Sequence, residues 1–156
     1  RPRNPVLQRF DDRLALVLAD PGTWPERVSA LTAAAEQLFD QGQAANGLPT
    51  YRRQNDRAEM VIYFQPDAGR MQPFVATAKQ QVEIQPAHDA VVVCPRAHDG
   101  LDACAAAAAG MLAAYLKEHD LRAAGPQRAV PFVNPMSPPT ARQLRRLQVR
   151  FEQPVR

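Results

Sequence analysis

The chain has 156 residues, 46% of them hydrophobic, which is enough for one domain with a buried core. Its formal net charge is only +3, and its basic residues are dispersed. This argues against nucleic acid as a partner, because nucleic-acid binders concentrate Lys and Arg on one face. Two cysteines exclude a disulfide framework and a four-cysteine zinc site. We expect Cys94 and Cys104 to be free thiols, with one disulfide possible only in an exported protein.

The N-terminal residues 1–10, which contain Pro2 and Pro5, suit a flexible segment or linker. We expect a single domain over 11–156, with halves at about 11–68 and 81–156. The sequence shows neither a signal peptide nor the roughly 18 consecutive apolar residues of a membrane span. Because the chain begins at Arg1 rather than Met, an upstream anchor or signal stays open, and so does the choice between a cytoplasmic and an extracytoplasmic location.

The first half predicts the order strand, helix, strand, strand. The apolar run LALVLAD (14–20) is typical of a buried strand. Thr23-Trp24-Pro25-Glu26 then combines a capping residue, a first-turn proline and an early acid, so a helix is expected from here to near Gly42. GLPTYRR (47–53) and EMVIYFQ (59–65) predict two strands joined by a turn at Asn55-Asp56.

The same plan recurs with an offset of 77 residues, which aligns Leu14 with Val91 and Trp24 with Leu101 without a gap. The second copy predicts a helix from Leu101 to about His119, followed by strands at 129–133 and 147–153. VEIQP (82–86) precedes or extends the first strand of this copy. We therefore expect an α+β fold of duplicated βαββ units. It would have one antiparallel sheet, two helices on one face, and a groove at the pseudo-twofold axis on the other.

The loop His98-Asp99-Gly100 raises the question of a catalytic His–Asp pair. By the repeat it falls at a strand-to-helix turn, so we expect a solvated loop in which Asp99 caps the helix. A proton-transfer pair would need a nucleophile or substrate beside it, no neighbouring serine fits, and Cys104 lies inside the predicted helix. No catalytic residue is assigned. No cofactor or metal motif is present, since His88, His98 and His119 lack the spacing of metal ligands.

Nine short segments lie in a characteristic order: 21–24 (PGTW), 49–52 (PTYR), 60–64 (MVIYF), 90–93 (AVVV), 98–100 (HDG), 115–121 (YLKEHDL), 124–126 (AGP), 130–135 (VPFVNP) and 147–155 (LQVRFEQPV). This order resembles the gyrase-inhibitor-like (GyrI-like) effector-binding domains, which are related to the ligand-sensing domains of multidrug-responsive transcription activators. The resemblance covers about residues 14–155.

The resemblance implies a duplicated βαββ fold whose amphipathic groove binds bulky aromatic, often cationic, small molecules. Some members of the family inhibit a topoisomerase by contact, and a few resemble hydrolases that use an acid and a Tyr. The chain departs from the family at 129–132 (AVPF), where a Glu and a Tyr are common. It also carries no DNA-binding helix-turn-helix, so the output of a sensor would lie elsewhere.

Four aromatic residues are candidates for the walls of such a groove: Trp24, Tyr51, Tyr63 and Phe132. Trp24 and Phe132 fit a core position equally well. Glu152 alternates with Phe151 along its strand, so it faces the groove if Phe151 packs on the helices. Glu59 is a second candidate acid, although a Glu at a strand end is more often solvated.

Other side chains are candidates for supporting roles around the groove. Arg53 and Arg150 could pair with the two acids, or they could bind an anionic ligand instead. Met71 and Phe74, between the halves, could form a lid.

Three functions are compatible with these features. The first is a non-catalytic module that senses or sequesters a hydrophobic or aromatic, possibly cationic, small molecule. The second is a hydrolase that pairs Glu59 or Glu152 with Tyr51 or Tyr63, which requires a carboxylate of raised pKa beside a hydroxyl. The third is an inhibitor module with a protein partner, for which the basic strip at 142–150 is the visible candidate surface. The sequence favours the first.

Overall fold

One antiparallel sheet forms the centre of the computed structural model, which describes residues 3–69 and 72–156. The strands are β1 (Arg3–Phe10), β2 (Arg13–Ala19), β3 (Gln43–Ala45), β4 (Thr50–Gln54), β5 (Arg57–Pro66), β6 (Gln81–Gln85), β7 (His88–Cys94), β8 (Arg128–Pro131) and β9 (Val149–Val155). The helices are α1 (Trp24–Asp40), α2 (Leu101–Glu118) and α3 (Ala141–Arg145). The predicted α+β class with an antiparallel sheet is confirmed.

The duplication is visible in the order of the strands, β1-β7-β9-β8-β4-β5-β2-β6, with β3 added beside β5. β8 and β4 meet at the centre, and Tyr51 and Arg52 of β4 lie opposite Ala129 and Arg128 of β8. The unit β2-α1-β4-β5 therefore stands beside its copy β7-α2-β8-β9 across a pseudo-twofold axis. The two long helices begin at Trp24 and Leu101, the positions that the sequence repeat aligns.

The two helix starts differ in how they are capped. Thr23 caps α1 as predicted, since its Oγ1 accepts from the N–H of Glu26 at 3.3 Å and donates to the Glu26 carboxylate at 2.8 Å. The prediction that Asp99 caps α2 is wrong. Gly100 occupies that position, with φ +89° and no side-chain cap. Glycine adopts this left-handed conformation without strain, so the turn is made by the backbone of Gly100.

The expectation of a flexible linker at residues 1–10 is also wrong for the described part of that segment, because Arg3–Phe10 forms β1 beside β7. Its register shifts between Arg3 and Val6, around Pro5. Proline is tolerated at a bulge in an edge strand, which explains why a proline-containing stretch still joins the sheet.

The sheet is strongly curled. Phe10 pairs with His88 in β1–β7, and Arg13 pairs with Gln85 in β2–β6. The same two chain segments therefore stay paired in one register from the first strand pair into the second. The β1–β2 and β6–β7 segments thus form two long bent strands that link opposite ends of the strand order. The curl encloses the sheet face that points away from the helices, which we call the inner face.

The main core lies on the other face, between the sheet and the two long helices. It combines sheet residues such as Leu16, Met60, Val91 and Phe151 with helix residues such as Leu31, Leu38 and Leu112. Cys104 is buried in this core and Cys94 is half-buried, and both are free thiols as expected. Within 3–69 and 72–156, no helix combines the length and the apolar character needed to cross a bilayer.

Candidate functional site

The structure divides the six candidate residues among three places. Trp24 and Tyr51 are in contact on the helix side of the sheet. Glu59, Tyr63 and Glu152 alternate with helix-side core residues along β5 and β9, so they face the inner side. Phe132 follows β8 and is 48% exposed, lining a shallow groove with Arg142 and Arg146. The candidates therefore do not form one groove, and the helix side brings two aromatic residues together.

Trp24 and Tyr51 form one corner of what we call the aromatic cleft. Their ring centroids are 6.3 Å apart and their planes are inclined at 72°. The other lining residues are largely apolar: Arg27, Val28, Leu31, Pro49, Pro131, Val133, Asn134 and Pro135. The cleft has a volume of about 10 Å³, which is space for roughly one water molecule.

Local structure explains why these side chains meet. Trp24 is the first residue of α1, and the Thr23 cap sets where that helix starts. Tyr51 lies on β4 next to the sheet centre, opposite Ala129 of β8. β8 ends at Pro131, and the chain then turns through Val133, Asn134 and Pro135 to close the cleft.

The cleft contains one charged group, and that charge is balanced. Arg27 lies 4.7 Å from the Trp24 ring centroid and 5.1 Å from that of Tyr51. Its guanidinium donates to both carboxylate oxygens of Asp20 at 2.8 and 2.9 Å. Burial raises the pKa of Tyr51 to about 12, although the Arg27 charge opposes the shift. Tyr51 therefore presents a neutral hydroxyl that can donate or accept a hydrogen bond.

The two candidate acids lie on the inner face in two matching ion pairs. Arg128 Nε donates to Glu152 at 2.9 Å, and Arg52 Nε donates to Glu59 at 2.9 Å. In each case the partners stand opposite one another on neighbouring strands. Arg52 also lies directly opposite Arg128 across the sheet centre. The pseudo-twofold axis thus runs between two Arg–Glu pairs.

Further contacts extend this network. Arg150 Nε is 3.0 Å from the second oxygen of Glu152, as predicted for that residue. Arg53 is the other predicted partner. Its side chain is on the opposite face of the sheet from Glu59, and it donates to the Asp56 carbonyl instead. Arg52 Nη2 reaches Glu83 of β6 at 2.6 Å. β4 and β6 are three strands apart in the sheet, and the curl brings them within reach of one ion pair.

Tyr63 is buried within the inner face. The Arg13 guanidinium lies 3.4 Å from its ring centroid, and its hydroxyl accepts from Gln85 Nε2 at 3.1 Å. Tyr51 is on the other side of the sheet from both acids, and each acid is bound by arginine. No described acid–tyrosine pair therefore has the arrangement that the hydrolase hypothesis requires.

The remaining candidates lie away from the cleft or outside the described residues. Phe74 packs against Phe64 with centroids 5.2 Å apart, and Met71 lies outside the described residues. In the described part of the chain, no group of three His, Cys, Asp or Glu side chains could hold a metal ion.

Sequence reasoning missed Arg52 and Arg128, although a signal was present. Tyr51 and Ala129 are small or aromatic residues suited to the helix side, so the adjacent arginines face inward by the period of two. Because arginine is usually exposed, the sequence did not single out these two residues as buried on the inner face.

Comparison with known proteins identifies the fold. No family model and no curated protein matches the sequence. The chain is similar to the crystal structure of the EcmrR C-terminal domain, with a TM-score of 0.61, 12% identity, and coverage of 98% of this chain and 97% of that one. It is also similar to a hydrolase from Listeria innocua, with a TM-score of 0.64, 14% identity, and coverage of 99% and 92%.

A longer form of EcmrR, in a cryo-EM complex with DNA, gives a TM-score of 0.59 at 12% identity. The match covers 97% of this chain, which spans 57% of that EcmrR chain. At these identities the similarities show a shared fold.

Proposed function

We propose that this domain binds a small, neutral aromatic or hydrophobic molecule in the aromatic cleft and acts as a non-catalytic sensor or sequestering module. The observation that carries the proposal is the Trp24–Tyr51 corner, where two aromatic faces and one hydroxyl converge among apolar side chains. Such a combination of apolar walls with few polar handles is typical of small-molecule sites. The resemblance to effector-binding domains and the fold shared with the EcmrR C-terminal domain support it.

The charges favour a neutral ligand over the cationic one that the family resemblance implies. A cation in the cleft would need a carboxylate as counter-charge, and Glu59 and Glu152 are on the other side of the sheet in pairs with arginine. Asp20, the nearby acid, is bound on both oxygens by Arg27. A cationic ligand would also meet the Arg27 guanidinium over the aromatic rings.

Binding requires the cleft to open, because its present volume holds roughly one water molecule. The wall without regular secondary structure is the segment at 132–140, which contributes Val133, Asn134 and Pro135 and is the part we expect to move. It is anchored at one end by the Phe132 N–H to Gln148 carbonyl bond of 2.9 Å and at the other by the Thr140 capping box of α3. The free energy of opening lowers the apparent affinity, as for any ligand that selects a minor state.

The test is a titration of Trp24 fluorescence, since Trp24 is the single tryptophan and lines the cleft. The probes are N-phenyl-1-naphthylamine, which is neutral, and tetraphenylphosphonium, a cation of similar aromatic bulk. We expect saturable quenching by the neutral probe and a weaker response to the cation. Val28→Phe, which fills the cleft wall, should abolish the response, whereas Val82→Phe on exposed β6 should leave it unchanged.

Two outcomes contradict the proposal. One is the absence of any response to either probe while circular dichroism shows an intact fold. That result would favour a protein partner over a small-molecule ligand. The other is binding that Val28→Phe leaves unchanged, because the ligand then occupies another surface. A stronger response to tetraphenylphosphonium would retain the binding function and reject the neutral ligand class.

A further inference from the structure

A second cavity lies on the inner face, on the opposite side of the sheet from the aromatic cleft. It has a volume of about 230 Å³. Its apolar wall contains Pro86, Pro126 and Pro154, and its polar residues include Arg52, Arg128, His88 and Glu83, whose carboxylate is paired with Arg52. We call it the proline–arginine pocket. It is therefore amphipathic, with the polar wall at the centre of the sheet, beside the pseudo-twofold axis.

The ion pairs around this pocket leave a surplus of positive charge. The carboxylates of Glu59, Glu83 and Glu152 are all in ion pairs with arginine, through Arg52, Arg128 and Arg150, although the Glu152 oxygen beside Arg150 makes no hydrogen bond among the described residues. Arg13 adds a fourth guanidinium to the same network. Its Nε donates to the neutral side chain of Gln85 at 2.8 Å, and its charge lies over the Tyr63 ring.

Arg128 also has a hydrogen-bond donor to spare. Its Nε donates to Glu152 and its Nη1 contacts His88 Nε2 at 2.8 Å. Its Nη2 is buried without a hydrogen-bond partner among residues 3–69 and 72–156, in a side chain that is 3% exposed. Arg13 Nη2 is also unpartnered within the described part of the chain, but Arg13 does not line this pocket. A buried guanidinium N–H without an acceptor is costly, so Arg128, which lines the pocket, favours a ligand that brings an acceptor.

His88 neither supplies that acceptor nor adds charge. Because arginine only donates, His88 Nε2 accepts from Arg128, and the ring proton lies on Nδ1, 2.9 Å from the Pro86 carbonyl. Burial lowers the pKa of His88, and the charges of Arg128 and Arg13 lower it further. His88 is therefore neutral at pH 7, and its acceptor nitrogen is already used.

We propose that the proline–arginine pocket is a separate binding site for small carboxylate-bearing molecules with an apolar body. The carboxylate accepts from the spare guanidinium donor of Arg128 and is attracted by the nearby charge of Arg13, while the apolar body lies against the proline wall. Arginine suits this role because its planar fork matches a carboxylate in geometry and charge. The pocket thus selects an anion, whereas the aromatic cleft on the other side of the sheet selects a neutral molecule.

The test is isothermal titration calorimetry of the full chain with three probes of one shape: 2-naphthoate, 2-naphthamide and 2-naphthylmethylammonium. We expect saturable binding of naphthoate. The amide should bind more weakly by roughly tenfold or more, because charge-assisted hydrogen bonds are about twice as strong as neutral ones. The ammonium should bind most weakly of the three. Arg128→Lys keeps the charge and removes the fork, and Arg13→Gln removes the surplus charge. Each should weaken naphthoate binding at least about tenfold.

Arg9→Gln is the matched control, because it removes an equal charge from an exposed pair on neighbouring β1. Its affinity for naphthoate should stay within about twofold of that of the unsubstituted protein, because exposed ion pairs contribute little free energy. Circular dichroism checks the fold of each variant, and Arg13→Gln stands in if Arg128→Lys unfolds.

The inference is overturned if the amide or the ammonium binds as tightly as naphthoate, if none of the three binds, or if neither arginine variant weakens binding. It is also overturned if naphthoate displaces N-phenyl-1-naphthylamine, because the two ligands would then share one site. The Trp24 response to the neutral dye is read separately, so failure of this site and failure of the aromatic cleft are distinguishable.

Discussion

Glu152→Gln probes the most buried ion pair on the inner face. The Arg128 Nε and Glu152 carboxylate are 2.9 Å apart, and their side chains are 3% and 2% exposed. The substitution keeps the shape and leaves an amide oxygen for Arg128, but it removes the negative charge that balances this buried guanidinium. Breaking one partner of a buried pair costs about 3–5 kcal/mol. Arg150, the second partner of Glu152, is 38% exposed and can turn to solvent, so we expect the lower end, about 3 kcal/mol.

Urea unfolding followed by circular dichroism measures this loss. With a slope of roughly 2 kcal/mol per molar urea, the midpoint should fall by about 1.5 M. Asp89→Asn is the control, because its pair with Arg9 is 3.4 Å long, with side chains 63% and 47% exposed, and should cost about 1 kcal/mol or less. Equal midpoint shifts for the two variants would refute the argument that the inner-face pair is desolvated.

Three further predictions concern the fold. Thr23→Ala removes the α1 cap and should cost about 1 kcal/mol in the same urea assay, while no change would mean that the cap bond is not formed. Deletion of residues 1–10 removes β1 and Phe10, whose ring stacks on His88 at 5.4 Å, and should cost about 2 kcal/mol or more, whereas loss of a mere linker would cost nothing measurable. The lowered pKa of His88 means that its neutral form stabilises the fold above about pH 6.5, and that this contribution is lost as the pH falls. His88→Gln should flatten the decline in stability between pH 7 and 5, and an unchanged slope would contradict it.

Local patterns in the sequence predicted most of the repeat because its signals act over a few residues. Thr23 caps a helix whose first turn carries Pro25, and the Asn55-Asp56 turn joins β4 and β5 with positive φ at both residues. β1 gave no such signal, because its polar and apolar residues do not alternate and it includes Pro5, and it is held by pairing with β7 far along the chain. α3 was missed because five residues give no helical period.

The sequence indicated which side chains are candidates for a binding site, but it did not predict where in the fold they lie together. Trp24 and Tyr51 do meet, but on the helix side rather than in the groove expected opposite the helices. Strand periodicity separates Tyr51 from Arg52 and Phe151 from Glu152, yet it does not say which face leaves a cavity. That depends on the curl of the sheet and on the segment after β8, which are properties of the whole fold.

The most direct test of the aromatic cleft is a ¹H–¹⁵N correlation spectrum of the chain during titration with N-phenyl-1-naphthylamine. Because Trp24 is the single tryptophan, its indole N–H gives one assigned signal inside the cleft. We predict that this signal moves saturably with the neutral dye and does not move with 2-naphthoate. An indole signal that stays fixed at saturating dye would show that the cleft is not the binding site.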